Sequence, residues 1–133
     1  MQREDFAFFH TLRVRWAEVD YFDCAVTEYM RAIGFPYPDG FAAHGCDTFA
    51  VNASANFRAP ARYDDVLDVG VAVSEIGRTS FRCTLAIHRG DDLLVDGALV
   101  YVAGSLAERR PVPVPQAFIE RVTAHEKLAP ARK

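Results

Sequence analysis

The sequence predicts an α+β fold: a curled antiparallel sheet of about five strands with one long helix on one of its faces. Three observations carry that expectation. The stretch Tyr21 to Gly34 repeats apolar residues at three- and four-residue steps, the mark of an amphipathic helix. Later segments alternate at period two and are joined by short polar turns, which favour hairpins and hence antiparallel pairing. No second helical pattern of comparable length appears, so the sheet has a single substantial helix to pack against.

The elements follow in order. Leu12, Val14 and Trp16 alternate with Arg13, Arg15 and Ala17, and the branched and aromatic content suits a pleated strand ending at Asp20. Phe22, Ala25, Val26, Tyr29, Met30 and Ile33 then gather on one helix face, until Gly34 supplies a left-handed stop and Pro36 prevents resumption. Asp20 and Asp23 stand at the helix start, where free backbone donors favour carboxylates. Phe35 to Gly45, with two prolines and two glycines, reads as a loop. Phe49, Val51, Ala53, Ala55 and Phe57 alternate with Asn52, Ser54 and Asn56 up to Pro60. Leu67, Val69, Val71 and Val73 form a half-buried strand, and Gly77 to Thr79 turn it into Phe81, Cys83, Leu85 and Ile87. A second hairpin at Gly90 to Asp92 leads to Leu93 to Ala103, apolar on both faces apart from Asp96 and so expected to be covered twice. Three prolines then extend the tail before a short helix around Phe118, Ile119 and Val122.

Bulk composition narrows the function. With 133 residues, 50% of them hydrophobic, the chain fits one core and one domain spanning 1–133. A net charge of -3 without any basic block argues against nucleic acid and anionic membranes as partners. No segment reaches the length of a membrane-spanning helix and no secretory pattern opens the chain, so a soluble, cytoplasmic protein is expected. Cys24, Cys46 and Cys83 lie at no metal-ligand spacing and read as reduced thiols, which leaves no metal site to predict. His10, His44, His88 and His125 have no nucleophile at an informative distance; His88 sits opposite the apolar face of its strand, toward solvent or an interface, and His44 is a candidate for lining a pocket. Asp64 and Asp65 set a turn.

Four segments together resemble a known family: RVRWAEVD at Arg13 to Asp20, YFDCAVTEYMRAIGFPY, FRAPARYDDVLDV at Phe57 to Val69, and GRTSF at Gly77 to Phe81. In this order and spacing they are similar to hotdog-fold acyl-CoA thioesterases of the hydroxybenzoyl-CoA type. The resemblance implies a sheet wrapped around the helix, dimers joined edge to edge and often paired into tetramers, and an active site at the dimer interface. It places Asp20 on the family's catalytic aspartate. From pattern alone Asp20 reads as a helix cap; under the resemblance it is a nucleophile or general base, and at a free pKa of about 3.9 it is ionised at neutral pH for either task. Arg78, Thr79 and Ser80 match the turn that holds coenzyme A phosphates, with Arg109 and Arg110 as a further basic site. The substrate implied is an acyl-CoA, and coenzyme A enters only as part of it; no cofactor is implied.

The chain departs from the family at one place. Relatives carry a Gly-rich segment after the aspartate that presents an oxyanion donor, whereas here Tyr21 follows Asp20 directly. Strand-to-helix joins normally take several residues. Either the chain is truly shortened, or residues present in the molecule are missing from the written sequence; the awkward join favours the second. A shortened chain would instead favour a noncatalytic acyl-CoA-binding module. A hotdog dehydratase or hydratase, the other alternative, needs a histidine on the central helix, and Tyr21 to Gly34 contains none.

Overall fold

The computed structural model describes residues 1–13 and 21–133. Its elements are β1 (Phe8–Arg13), α1 (Tyr21–Ala32), α2 (Asp39–Ala42), β2 (Cys46–Phe57), β3 (Val66–Ile76), β4 (Ser80–Arg89), β5 (Asp92–Ser105), α3 (Gln116–His125) and β6 (Ala131–Arg132). The long strands form one antiparallel sheet in the order β1-β3-β4-β5-β2, and β6 adds in parallel to β3. The α+β class and the single long helix are as the sequence predicts.

Alternation decides which side of the sheet is filled. Leu67, Val69, Val71 and Val73 of β3 and Phe81, Cys83, Leu85 and Ile87 of β4 point toward α1, whose Ala25, Val26, Tyr29 and Met30 are buried against them. The helix ends as its sequence demands. Gly34 takes φ +80, its N–H bonds to the Arg31 carbonyl at 3.1 Å, and the Phe35 N–H reaches the Met30 carbonyl at 2.9 Å, a Schellman stop. Beyond it Phe35, Phe41, Phe81 and Phe118 pack ring on ring, with Phe118 at 5.4, 5.1 and 4.8 Å from the other three, which docks α3 against the end of α1.

Four expectations are corrected. β1 begins at Phe8, earlier than the alternation read from Leu12; Val14 to Asp20 lie outside the described residues. The loop after Gly34 contains the helical turn α2. The alternation of β2 gives it no buried face beyond Thr48: every residue from Phe49 to Phe57 is exposed, on the last strand of the sheet, with a bulge at Ala50/Asn52. β5 is not covered on both faces along its length: Val100 and Val102 are half-exposed.

Candidate active site

α1 opens on a groove. Tyr21 and Phe22, its first residues, line a space of about 680 Å³ together with Phe57 at the end of β2, Pro60 beyond it, Leu67 of β3, Ile87 of β4 and Leu94 and Val95 of β5. Leu67, Ile87 and Leu94 are buried and make its floor, while Phe57, 84% exposed, stands at its mouth. The groove thus lies at the N-terminal end of α1, the positive end of the helix dipole.

Among the described residues lining this groove Arg58 is the charged one, and its fork is held by Asp96. Its Nε and Nη2 donate to Asp96 Oδ2 at 3.2 and 3.0 Å, and Asn56 Nδ2 donates to Asp96 Oδ1 at 3.0 Å. Burial opposes the Asp96 charge, but the bonds from Asn56 and Arg58 outweigh it and hold the carboxyl below the usual range. The cross-strand pair Asn56↔Asp96 that makes this cluster depends on β2 meeting β5, a pairing no local pattern in the sequence reveals. Gly97, one step on, lets β2 approach: a Cβ there would lie 2.1 Å from the Ser54 carbonyl oxygen and 3.0 Å from Phe22.

A smaller hollow of about 330 Å³ lies further along α1, between Asp23, Thr27 and Met30 and the β2 residues Thr48 and Phe49. There Tyr101 donates its hydroxyl to Asp23 Oδ1 at 3.2 Å. Along the chain Asp23 is a helix-start carboxylate; its contact with β5 needs the folded sheet.

The described residues among the remaining predictions gather away from the groove. Asp20 and its join to Tyr21 lie outside the described residues. Arg78 is exposed on the β3–β4 turn, whose Gly77 N–H bonds the Ser80 carbonyl at 2.8 Å and whose Thr79 carbonyl accepts from Ala103. Arg109 and Arg110 follow β5 and are exposed, Arg110 pairing with Glu108. Since Ser80 pairs with Val102, all three arginines share one end of the sheet. The groove is at the other end: from Leu67 to Arg78 the chain advances roughly 35 Å along β3 and its turn.

The histidines divide likewise. His44 stacks on Phe35 at 6.0 Å and lines neither hollow. His88, expected toward solvent or an interface, is 5% exposed: the N-terminal segment folds over it, with Phe9 against its ring at 6.4 Å. Asp65 sets its turn as expected, accepting from the Arg62 N–H at 2.8 Å and from Arg89 at 3.0 Å.

A model of the thioesterase superfamily matches residues 19–108, more than half of the chain, and includes α1, the groove and β2 to β5. The chain belongs to the thioesterase superfamily. Among curated relatives, a provisionally named esterase of Aquifex aeolicus (strain VF5) is 28% identical over 96 residues, 63% of this chain and 74% of its own. Solved structures carry the same hotdog fold. A protein of Pseudomonas aeruginosa strain PAO1 superposes with a TM-score of 0.78 at 23% identity over 96% of both chains. A thioesterase of Thermus thermophilus, solved with coenzyme A and Zn, gives 0.76 at 24% identity over 94% of this chain and 98% of its own. This thioesterase therefore has the fold that the sequence resemblance implied, and its family is one of thioester hydrolases. Among the described residues no three His, Cys, Asp or Glu side chains gather as metal ligands, and no helix is long and apolar enough to cross a membrane.

Proposed function

We propose that this thioesterase hydrolyses acyl-CoA, with the acyl group in the groove at the start of α1 and the Asp20 carboxylate acting on the thioester carbon. The observation that carries this reading is the position of the groove: it opens at Tyr21 and Phe22, the first residues of α1, the helix that comes after Asp20 in the sequence. A carboxylate there attacks the carbonyl to form an anhydride and release the coenzyme A thiolate, after which water hydrolyses the anhydride to the free acid and restores the carboxylate, or it takes a proton from a water that attacks the carbonyl directly. In both routes negative charge builds on the carbonyl oxygen, and the positive end of the α1 dipole favours it.

Coenzyme A as the leaving group is supported by the Thermus thermophilus thioesterase solved with it and by a 1,4-dihydroxy-2-naphthoyl-CoA thioesterase of Synechocystis with the same fold. The phosphates then fall to Arg78, Thr79 and Ser80, with Arg109 and Arg110 nearby. These are too far from the groove in one protomer, and the free edge of β2 offers the remedy. β2 runs from Cys46, paired with Ser105 at the arginine end, to Phe57, paired with Val95 at the groove. Antiparallel pairing of two β2 edges lays the partner's Arg78 end against this protomer's groove, so the working unit is a homodimer or a tetramer made of two such dimers. We read the chain as one cytoplasmic domain whose reaction calls for no cofactor beyond its substrate.

Hydrolysis of a panel of acyl-CoAs, with Asp20→Asn beside the parent, tests this. Loss of at least about 10²-fold in kcat for the variant is expected; equal turnover ends the Asp20 assignment. Turnover of no thioester favours the noncatalytic acyl-CoA-binding module, the reading that a real shortening after Asp20 supports. An intact mass above 14.8 kDa would show that the segment exists. Single turnover in heavy-oxygen water separates the two routes, since label in the protein carboxylate requires the anhydride.

A further inference from the structure

Among the described residues, the side chains lining the α1 groove are apolar except for Tyr21 and Arg58. The segment that borders it beyond β2, Arg58 to Ala61, is held in place. The N–H groups of Arg58 and Ala59 both donate to the Leu94 carbonyl, at 2.8 and 3.2 Å. Arg89, paired with Asp65 at 3.0 Å, donates to the Pro60 carbonyl at 3.4 Å. A cleft fixed in this way takes up hydrocarbon without first having to order itself.

The floor sets a length. Leu67, Ile87 and Leu94 lie on three neighbouring strands, β3, β4 and β5. Two interstrand spacings make about 10 Å. An extended hydrocarbon chain, with bonds of about 1.5 Å meeting at about 111°, advances about 1.3 Å per carbon, so about eight carbons reach across.

The Arg58 charge is turned out of the groove. On β5 Val95 lines the groove, and Asp96, the next residue, faces the other side of the sheet, where it borders an outer hollow with Thr84, Ala86 and His88. Arg58 reaches that hollow too. There Asp96 accepts from its Nε and Nη2 at 3.2 and 3.0 Å and is itself fixed by Asn56 Nδ2 at 3.0 Å. A carboxylate pushed into the groove gives up its water with no cation turned toward it among the described residues, whereas a methyl terminus gains from the same move.

We propose that the groove selects uncharged hydrocarbon acyl groups of about eight carbons, and that Asp96 sets this preference as a positioning residue by holding the Arg58 cation on the outer face. This rests on the groove being the acyl site of the proposed hydrolase, and adds the acyl class and the residue that excludes acidic acyl groups. Without Asp96 the Arg58 fork is released to meet a carboxylate at the groove.

The test uses the full-length protein and coenzyme A thioethers, which lack the carbonyl and are not hydrolysed, so binding is read apart from catalysis. In calorimetry Kd should fall by up to about fourfold per methylene from S-ethyl to S-octyl coenzyme A and level off beyond it. The S-(7-carboxyheptyl) thioether should bind at least about tenfold more weakly than the octyl one. Ala61→Asp, an exposed change at the groove, should flatten the dependence on chain length. Asp96→Asn should narrow the octyl preference about tenfold, one charge-assisted contact, and adding Arg58→Gln should restore it, a rescue that a merely structural role of Asp96 does not give. Asn56→Ala, which removes only the bond that fixes Asp96, should narrow it in the same direction and decides the matter where Asp96→Asn does not fold. The proposal is overturned if Kd is independent of chain length, if the carboxylated thioether binds as well as the octyl one, or if the folded variants keep the parent's preference. Turnover is scored separately. Thioethers that follow this pattern while no acyl-CoA is hydrolysed remove the hydrolase and leave the acyl class; hydrolysis of acetyl- and suberoyl-CoA as fast as octanoyl-CoA leaves the hydrolase and removes the acyl class.

Discussion

The hydroxyl of Tyr29 on α1 donates to the carboxylate of Glu126, 97 positions later at the end of α3. The same Glu126 oxygen, Oε2, accepts the Val73 N–H at 3.0 Å. That second bond explains the first. β1 pairs with β3 only as far as Phe8↔Val71, and β6 takes over at Glu75, so Val73 sits on a stretch of edge that no strand covers. A side chain fills the gap and ties α1, α3 and β3 together. Burial raises the Glu126 carboxyl above its ordinary value despite the bonds from Tyr29 and Val73, and the Tyr29 phenol is raised as well, first by burial and then by the Glu126 charge.

Removing the donor should therefore weaken the fold. Tyr29→Phe leaves a buried carboxylate one bond short, and a loss of about 1–3 kcal/mol at pH 7 is expected from urea melts. The sign of the pH dependence follows from the raised carboxyl. Its contribution is complete below the unfolded value near 4.3 and is lost as pH rises through the folded one. Glu126→Gln should remove that slope, gaining relative to the parent at pH 7 and not at pH 4. Parallel stability curves for parent and variant would show that Glu126 does not ionise there.

His88 should give the opposite slope. Burial, followed by the Arg3 charge, lowers its ring below the ordinary histidine value, with Asp68 and Asp91 opposing. A depressed group supplies stability that is present above the unfolded value near 6.5 and lost as pH falls through the folded one. Between pH 7.5 and 5 the parent should lose stability, by no more than about 1.4 kcal/mol per pH unit for one proton, and His88→Gln should lose less. Chemical denaturation across that range measures it.

Phe118 is fully buried among Phe35, Phe41 and Phe81. Phe118→Ala empties a ring-sized volume where four elements meet, and a loss of about 3–5 kcal/mol is expected. Phe118→Leu should recover most of it. Thermal melts rank the two, and equal stability of the alanine variant and the parent would mean that α3 is not docked.

The β2 edge offers a direct test of assembly. Val51, 58% exposed, lies at the bulge of the outermost strand. A charge on an edge strand opposes pairing with a second edge. Val51→Lys should convert a dimer to a monomer in sedimentation equilibrium with little change in melting temperature, and thioester turnover should fall with it, since the proposed phosphate site belongs to the other copy. A parent that is itself monomeric would remove the trans arrangement.

The sequence by itself determined the class, the α1 helix with its Gly34 stop, the two hairpins and the identity of the strands facing α1, because each depends on periodicity and turn chemistry within a few residues. It also carried the family resemblance, which spacing of short segments preserves. What only the tertiary structure decided are relations between distant segments. β2 alternates like a half-buried strand, yet its place at the end of the sheet leaves it exposed. His88 alternates like a surface residue, yet the chain's first residues return to bury it. Asn56 meets Asp96, Tyr29 meets Glu126, and the arginines end up far from the helix start. Local pattern records a residue's neighbours along the chain; burial and partnership are set by which strands lie side by side, and that is fixed only when the whole sheet closes around α1.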